Sequence, residues 1–385
     1  VNSKKLLNPF PVSVYQGPDY FCDREKETSQ LTSNIRAGIS STLISIRRIG
    51  KTGLIKHMLS RLPQGCKGIY IDILETENIH QFLNHLGTAL LKVESESTAT
   101  GRKIWKFIKS LRPVITFETL TGAPQASFDL KPDQTEQSID SILHFLDSQS
   151  FKTIIAIDEF QQITNYPEKN IDSWLRTRIQ QIKNTVFIFS GSQQHLMSEL
   201  FASPNRPFFR STSIMKLERL DFNVYRDFII AQFDRYNKEI SHEISEEILV
   251  WGDRYTYYIQ MLCNRVFAAT SKRVTAEIWK QQVYELLKEH EIVFFGYRNM
   301  LTRNQWRLLK AIAQEGKVFE PTGKEFLSRY GLLNSASVLR SLQSLLKYEL
   351  IFRDFDSNGK QFYNVYDVFF QKWCLMIQPL DAGSD

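Results

Sequence analysis

No stretch of this chain approaches the roughly 18 consecutive apolar residues that a membrane span needs. The opening VNSKKLLNPFPVS also lacks the apolar core and small-residue cleavage site of an export signal. Cysteine is scarce and scattered: Cys22, Cys66, Cys263 and Cys374 form no C-x-x-C pair, which excludes a disulfide scaffold and makes a reducing cytoplasm the expected setting. The dispersed histidines show no metal-ligand spacing with Cys or carboxylates, and no G-x-S-x-G elbow is present, so neither a zinc centre nor a serine hydrolase is indicated. There is no low-complexity segment and no fixed-period repeat. Charge of one sign is not in excess either: 48 basic against 42 acidic residues leave a net +6, which permits a nucleic-acid partner without demanding one.

What remains is a packed globular chain, 42% hydrophobic and 23% charged, and its 385 residues are too many for one ordinary core. A β-branched run at Thr42 to Ile46 stops at RRIGKTG and is followed by LIKHMLSRL with helical spacing, which reads as strand, loop and helix. Further strands are expected at Gly68 to Leu74, Thr153 to Ile157 and Thr185 to Phe189, with a weaker one at Ser211 to Leu217. Helical patterns fill Ile79 to Glu94, Gly101 to Leu111 and Asp172 to Lys183. Nearly continuous apolar strands alternating with helices predict a parallel sheet covered on both faces. Pro, Gly and Asp punctuate residues 112–133, which read as an inserted hairpin or loop.

The G-K-T at Gly50, Lys51 and Thr52 falls where a strand turns into a helix, the place where amides and the helix dipole hold phosphate oxygens. A second segment, IIAIDEF, drives a strand into the core and delivers Asp158 and Glu159 at its carboxyl end, where open α/β sheets bind ligands. In that chemistry Lys51 neutralises β- and γ-phosphates, Thr52 and Asp158 hold Mg²⁺, and Glu159 polarises the attacking water. The lesser alternative for the acid pair is a helix N-cap with a first-turn acid after a core strand. The next strand ends in Ser190, Gly191 and Ser192; the two serines suit either a sensor of the γ-phosphate or a plain strand-to-helix turn.

Together, YFCDRE at Tyr20 to Glu25, IRRIGKTGL, IYIDIL, IIAIDEF, FIFSGSQQHLM, PFFR leading into IMKLERLDF, and YTYYIQ resemble the prokaryotic AAA-like P-loop ATPase family of the STAND and origin-recognition branch. The resemblance spans most of the chain. It implies ATP or ADP bound by the loop residues Arg47, Arg48, Ile49, Gly50, Lys51, Thr52 and Gly53, with Phe21, Arg24 and Glu25 beside the adenine and ribose. It also implies that Arg210 reaches a γ-phosphate in its own or a neighbouring subunit; the residue reads equally as a surface arginine beside an aromatic pair. Ser45 stands where the loop pattern has its first glycine, the glycine usual before the arginine is absent near Arg210, and Thr256 stands where the family's lid has proline. These departures point towards binding that outlasts efficient turnover.

The expected organisation is a P-loop core over 1–220, a helical lid over 221–298 and a winged helix over 299–385. The tail carries helical patterns at Arg303 to Gln314, Gly323 to Tyr330 and Ser335 to Tyr348, then strands Ile351 to Phe355 and Gln361 to Val365 flanking Asn358-Gly359. Its recognition helix would present Ser335, Ser337, Arg340, Ser341, Gln343 and Lys347, with Arg353 and Lys360 on the wing. Such a surface fits duplex DNA or, with so few basic residues, a protein-interaction or autoinhibitory module. The expected activity is a slow Mg²⁺-dependent ATPase that acts as a nucleotide-controlled switch, with assembly into a nucleotide-dependent oligomer. The competing expectation is a DNA-binding regulator that uses ATP as a structural ligand.

Overall fold

The computed structural model describes residues 5–376, which divide into two compact units, 13–220 and 5–12 with 221–376. In the first, α1 (Glu25–Ala37) leads into β1 (Ser41–Ile44), α2 (Lys51–Leu59), β2 (Cys66–Asp72), α3 (Ile79–Leu91) and α4 (Ala99–Ser110). A hairpin of β3 (Val114–Phe117) and β4 (Pro124–Ser127) follows, then α5 (Pro132–Asp147) and β5 (Lys152–Asp158). The unit closes with α6 (Ile171–Gln180), β6 (Thr185–Gly191), α7 (Gln194–Ala202) and β7 (Ser213–Lys216).

Five strands lie in the order β2-β5-β6-β1-β7, all parallel. Every residue of β1 and β6 is buried, as continuous apolar strands require when helices cover both faces. Because the crossover helices return each strand in the same sense, the carboxyl ends of β1, β5 and β6 come to one rim, where a ligand crevice opens. The insertion is a hairpin, as its punctuation predicts, but it packs inward. Phe128 is buried against α3 at Gly87, where an added Cβ would come within 2.7 Å of its ring. The helix α5 has no counterpart in the sequence reading, although Ile139, Ile142, Leu143 and Leu146 are buried at helical spacing.

The second unit contains α8 (Phe222–Asp234), α9 (His242–Trp251), α10 (Thr256–Ala269), the long α11 (Ala276–Met300), α12 (Arg303–Glu315), α13 (Lys324–Arg329) and α14 (Ser335–Lys347). A second hairpin, β8 (Ile351–Phe355) with β9 (Gln361–Val365), precedes α15 (Val368–Met376). Its register runs from Ile351↔Val365 to Phe355↔Gln361, closed by Gly359 at φ 76°. The aromatic tail forms α15 and folds back: Phe369 stacks edge-on to Tyr258 at 4.6 Å, and Asp367 accepts from the Tyr258 and Tyr297 hydroxyls. The expected lid and winged helix thus share one core, with residues 298 and 299 inside α11. Residues 5–12 also belong here. Phe10 packs on Phe233 at 5.4 Å, the Asn8 side-chain amide donates to the Asn264 carbonyl, and that of Asn264 donates to the Phe10 carbonyl, both at 2.8 Å.

Candidate functional site

The loop between β1 and α2 owes its shape to two left-handed residues, Arg48 at φ 68° and Gly50 at φ 98°. Ser45 is not among the positive-φ residues, so the position where the loop pattern has glycine does not ask for glycine's freedom here. It is fully buried, and its hydroxyl donates to the Ile46 carbonyl at 3.0 Å. The first helical bond of α2 runs from Leu54 N to Gly50 O at 3.0 Å, so the amides of Lys51, Thr52 and Gly53 precede the ladder and face the loop. Lys51 is buried, its ammonium 3.5 Å from the Ser45 carbonyl and 3.4 Å from that of Ile46. Burial holds this ammonium below the ordinary lysine range, while Glu159 and Asp158 pull it back up and Arg47 pushes further down.

Asp158 ends β5 almost wholly buried and is surrounded by donors. Thr52 Oγ1 donates to its Oδ2 at 2.7 Å and Tyr70 OH to the same oxygen at 3.0 Å. Ser190 Oγ and the Glu159 amide donate to its Oδ1. Glu159 follows in a left-handed conformation, φ 55°, a costly state for a non-glycine residue and common at functional sites. Its Oε2 accepts from Gln161 Nε2 at 2.6 Å and from Ser192 Oγ at 2.8 Å. Arg47 Nε in turn donates to Ser192 Oγ at 3.2 Å, so a chain of contacts joins the loop to both strand ends. A short 3-10 helix, Phe160–Asn165, follows with Glu159 at its N-cap position, but the Glu159 side chain makes no cap bond to it.

Ser190 belongs to a strand that runs on to Gly191, Ser192 follows just past its end, and a side chain at Gly191 would meet Gln161 Oε1 at 2.1 Å. That glycine is what lets Gln161 reach Glu159. Gln161 and Tyr70 both touch the acid pair, and neither belongs to the sequence-derived site. Their only signals are a tyrosine among the isoleucines of the IYIDI segment and a glutamine two residues past an acid.

Upstream, Arg24 is buried, pairs with Glu27 at 2.7 Å and donates to the Ile49 carbonyl at 3.2 Å, tying the start of α1 to the loop. Phe21 lies over Gly53 and stacks on His57 with centroids 4.1 Å apart, and Tyr15 OH bonds His57 Nδ1 at 2.9 Å. Burial and nearby Arg61 keep His57 below its usual value. Glu25 is exposed in the first turn of α1, and Arg48 is exposed on the loop, whereas Ile49 is buried. Arg210 is not brought to this cluster. It is exposed, its guanidinium 5.1 Å from the Phe209 ring, while neighbouring Phe208 packs into the aromatic group of Phe160, Phe189 and Phe201.

On the tail, Ser341 turns inward and is buried because it lies on the same side of α14 as Val338, Leu342 and Leu345, which corrects its expected place on the outward face. Arg340, Gln343, Lys347 and Arg353 are exposed, and Lys360 pairs with Glu320 at 3.3 Å. In YTYYIQ, Thr256 opens α10 at the first helical position, where proline is tolerated only because its missing N–H is not needed, so threonine serves equally. Among the described residues no helix is long and apolar enough to cross a membrane, and no three or more His, Cys, Asp or Glu converge as a metal cluster.

With this geometry in place, comparison with known proteins is specific. The profile described as an ATPase domain predominantly from Archaea matches residues 21–262, and that of a probable winged helix domain matches residues 292–376. No curated protein sequence matches the chain. A Walker-type ATPase of Pyrococcus abyssi aligns with TM-score 0.66 at 16% identity, covering 95% of this chain and 99% of that one. The ORC1 protein of Aeropyrum pernix in complex with DNA aligns with TM-score 0.53 at 13% identity over 98% of each chain. The ORC2 protein of the same organism, in its ADP form, gives 0.54 at 12% identity over 96% of this chain and 97% of that one. At such identities the likeness is one of fold: a parallel-sheet P-loop core with a carboxyl-terminal winged helix.

Proposed function

Because the chain belongs to the family of ATPase domains found predominantly in Archaea, we propose that it binds ATP in its first unit and hydrolyses it slowly, as a nucleotide-controlled switch. One observation carries the reading: at the ends of β1, β5 and β6, buried Lys51 lies beside Thr52 bonded to Asp158, with Glu159 clamped by Ser192. The amides at the start of α2 and its dipole favour phosphate, and Lys51 would exchange two loop carbonyls for phosphate oxygens. Thr52 Oγ1 and Asp158 Oδ2, 2.7 Å apart, are the hard oxygen donors that Mg²⁺ takes beside phosphate and water. When bound, the ion would neutralise charge on the phosphates.

Glu159 is the base that orients water. Its Oε2 is held by Gln161 and Ser192, which fixes the carboxylate and leaves Oε1 as the oxygen to take the proton. Ser190 and Ser192 act as sensors, since Arg47 reaches Ser192 and would redirect it when phosphate draws the guanidinium away. Phe21, Arg24 and Glu25 form the base and ribose side. Arg210, exposed on its own unit, would serve a neighbouring subunit in a nucleotide-dependent oligomer. Four free thiols suit a reducing cytoplasm. Steady-state ATP hydrolysis with and without duplex DNA, alongside sizing in ATP, tests the proposal; a Lys51→Ala chain that bound ATP as tightly as the parent would end it.

A second reading, a DNA-binding regulator or origin-recognition-like factor with ATP as a structural ligand, is favoured by the exposed Arg340, Gln343, Lys347 and Arg353. A protein of similar fold is seen in complex with DNA. Duplex binding lost in Arg340→Ala and Arg353→Ala, and indifferent to nucleotide, would select this reading over the switch.

A further inference from the structure

The first unit contains a cavity of about 480 Å³ beside the free edge of the sheet, lined among others by Tyr70, Asp72, His85, Thr88, Lys92 and Gln125. Its size lies within the ~300–1,000 Å³ of ordinary ligand sites. One wall is β2, which among the described residues pairs only with β5. The bonds Ile73 N to Asp158 O at 3.2 Å and Lys152 N to Gly65 O at 2.9 Å turn the odd-numbered residues of β2 towards β5. The N–H and C=O groups of Gly68 and Tyr70, and the N–H of Asp72, therefore point the other way. The Asp72 carbonyl on that side is taken by His85 Nδ1 at 2.9 Å.

The opposite wall, the β3–β4 hairpin, cannot close onto this edge. Its outward amides are already bound by α3: Ala126 N donates to Thr88 Oγ1 and Phe128 N to Asn84 Oδ1, both at 2.9 Å. The result is a slot with one unpaired strand edge and one saturated wall, which calls for a guest that supplies its own alternating donors and acceptors. The slot is also bipolar. Asp72 marks one end, in a negative field to which Asp158 and Glu159 add; together with burial, which weighs most, that field raises its carboxyl above the usual range. Lys92 marks the other, seven helix residues beyond His85, or about 10 Å away. An extended chain covers that span in about three residues.

We propose that this slot binds an extended segment of a partner protein as an added strand on β2, with a basic side chain over Asp72 and an acidic one about three residues away at Lys92. The guest reports to the nucleotide site, a step that rests on the function proposed above. Tyr70 presents its backbone to the slot and donates its hydroxyl to Asp158 at 3.0 Å, so pairing along Tyr70 fixes a donor to the Mg²⁺-holding carboxylate.

The test is selection of a random heptapeptide library on the immobilised full chain, followed by synthesis of the best sequence and of a version N-methylated at alternate amides. Enriched peptides should carry the basic and acidic pair, and N-methylation should weaken binding at least 10-fold. Gln125→Trp, which fills the slot without touching the Thr88 or Asn84 bonds, should do the same, and Asp72→Asn should remove the preference for the basic side chain. Lys51→Ala should bind the peptide as the parent does, which separates failure of the slot from failure of the nucleotide reading. Tyr70→Phe should keep the peptide but abolish its effect on ATP affinity. No enrichment, equal binding of the N-methylated peptide, or a dimer of the chain that Gln125→Trp dissociates would each overturn the proposal.

Discussion

The rim of β5 and β6 and the outer face of α14 are opposites. At the rim both Asp158 oxygens and one Glu159 oxygen have donors: Asp158 takes Thr52, Tyr70, Ser190 and the Glu159 amide, and Glu159 Oε2 takes Gln161 and Ser192. On α14 the side chains of Arg340, Gln343 and Lys347 stand in solvent. Buried acids must be hydrogen-bonded before any ligand arrives, because leaving them unpaired costs several kcal/mol. A solvated face carries no such demand. The rim is therefore preorganised chemistry, whereas α14 is a surface whose charges act only on what approaches.

Substitutions should divide along the same line. The largest effect is expected from Lys51→Ala, which removes a buried cation of the rim and should weaken ATP binding roughly 100-fold or more, by analogy with losing a preorganised charge partner; titration calorimetry reads it. Glu159→Gln should bind ATP like the parent and lose on the order of 100-fold or more in single-turnover hydrolysis, the usual weight of a general base. Sharper still is a pH series. Phosphate would draw Lys51 back up from its lowered value, so ATP affinity should fall with rising pH sooner than an ordinary lysine allows, and Lys51→Arg should flatten that decline.

Smaller effects probe the other side. Arg340→Ala and Arg353→Ala should each reduce duplex binding a few-fold and lower the salt slope by about 1, with ATP affinity unchanged. Smallest is a labelling difference. Burial pushes the Cys22 and Cys374 thiols up to about 12 and raises Cys263 as well, so in the folded chain a thiol reagent at neutral pH should modify half-buried Cys66 first. Under denaturant, saturating ATP should delay exposure of Cys22 and leave Cys263 and Cys374 unmoved. Equal protection of all three would erase the distinction between the two units.

The strands were legible because parallel strands buried on both faces must be continuously apolar, as TIIAI and TVFIF are. The loop was legible because G-K-T needs a strand before it and a helix after it. Tyr70 and Gln161 were not, since each acts through a partner close in space: Asp158 lies 88 residues from Tyr70. The inward turn of Ser341 follows from the rotation of α14, which depends on what packs beneath it. Thr256 and Ser45 look like departures in a one-dimensional pattern and cost little here, because neither position uses what proline or glycine would have supplied.

Residues 5–12 pack with the second unit although they precede the first, so the polypeptide crosses between units at both ends of the P-loop core. The core is thus, in topological terms, an insertion into the unit that carries the winged helix. Cleavage near residue 220 would leave residues 5–12 stranded on the wrong fragment, and a fragment starting at Asp221 would expose the Phe233 and Phe267 rings that Phe10 covers. During synthesis the second unit cannot complete its fold until the ribosome has passed the core, so the ATPase unit forms first while Phe10 waits for its partners.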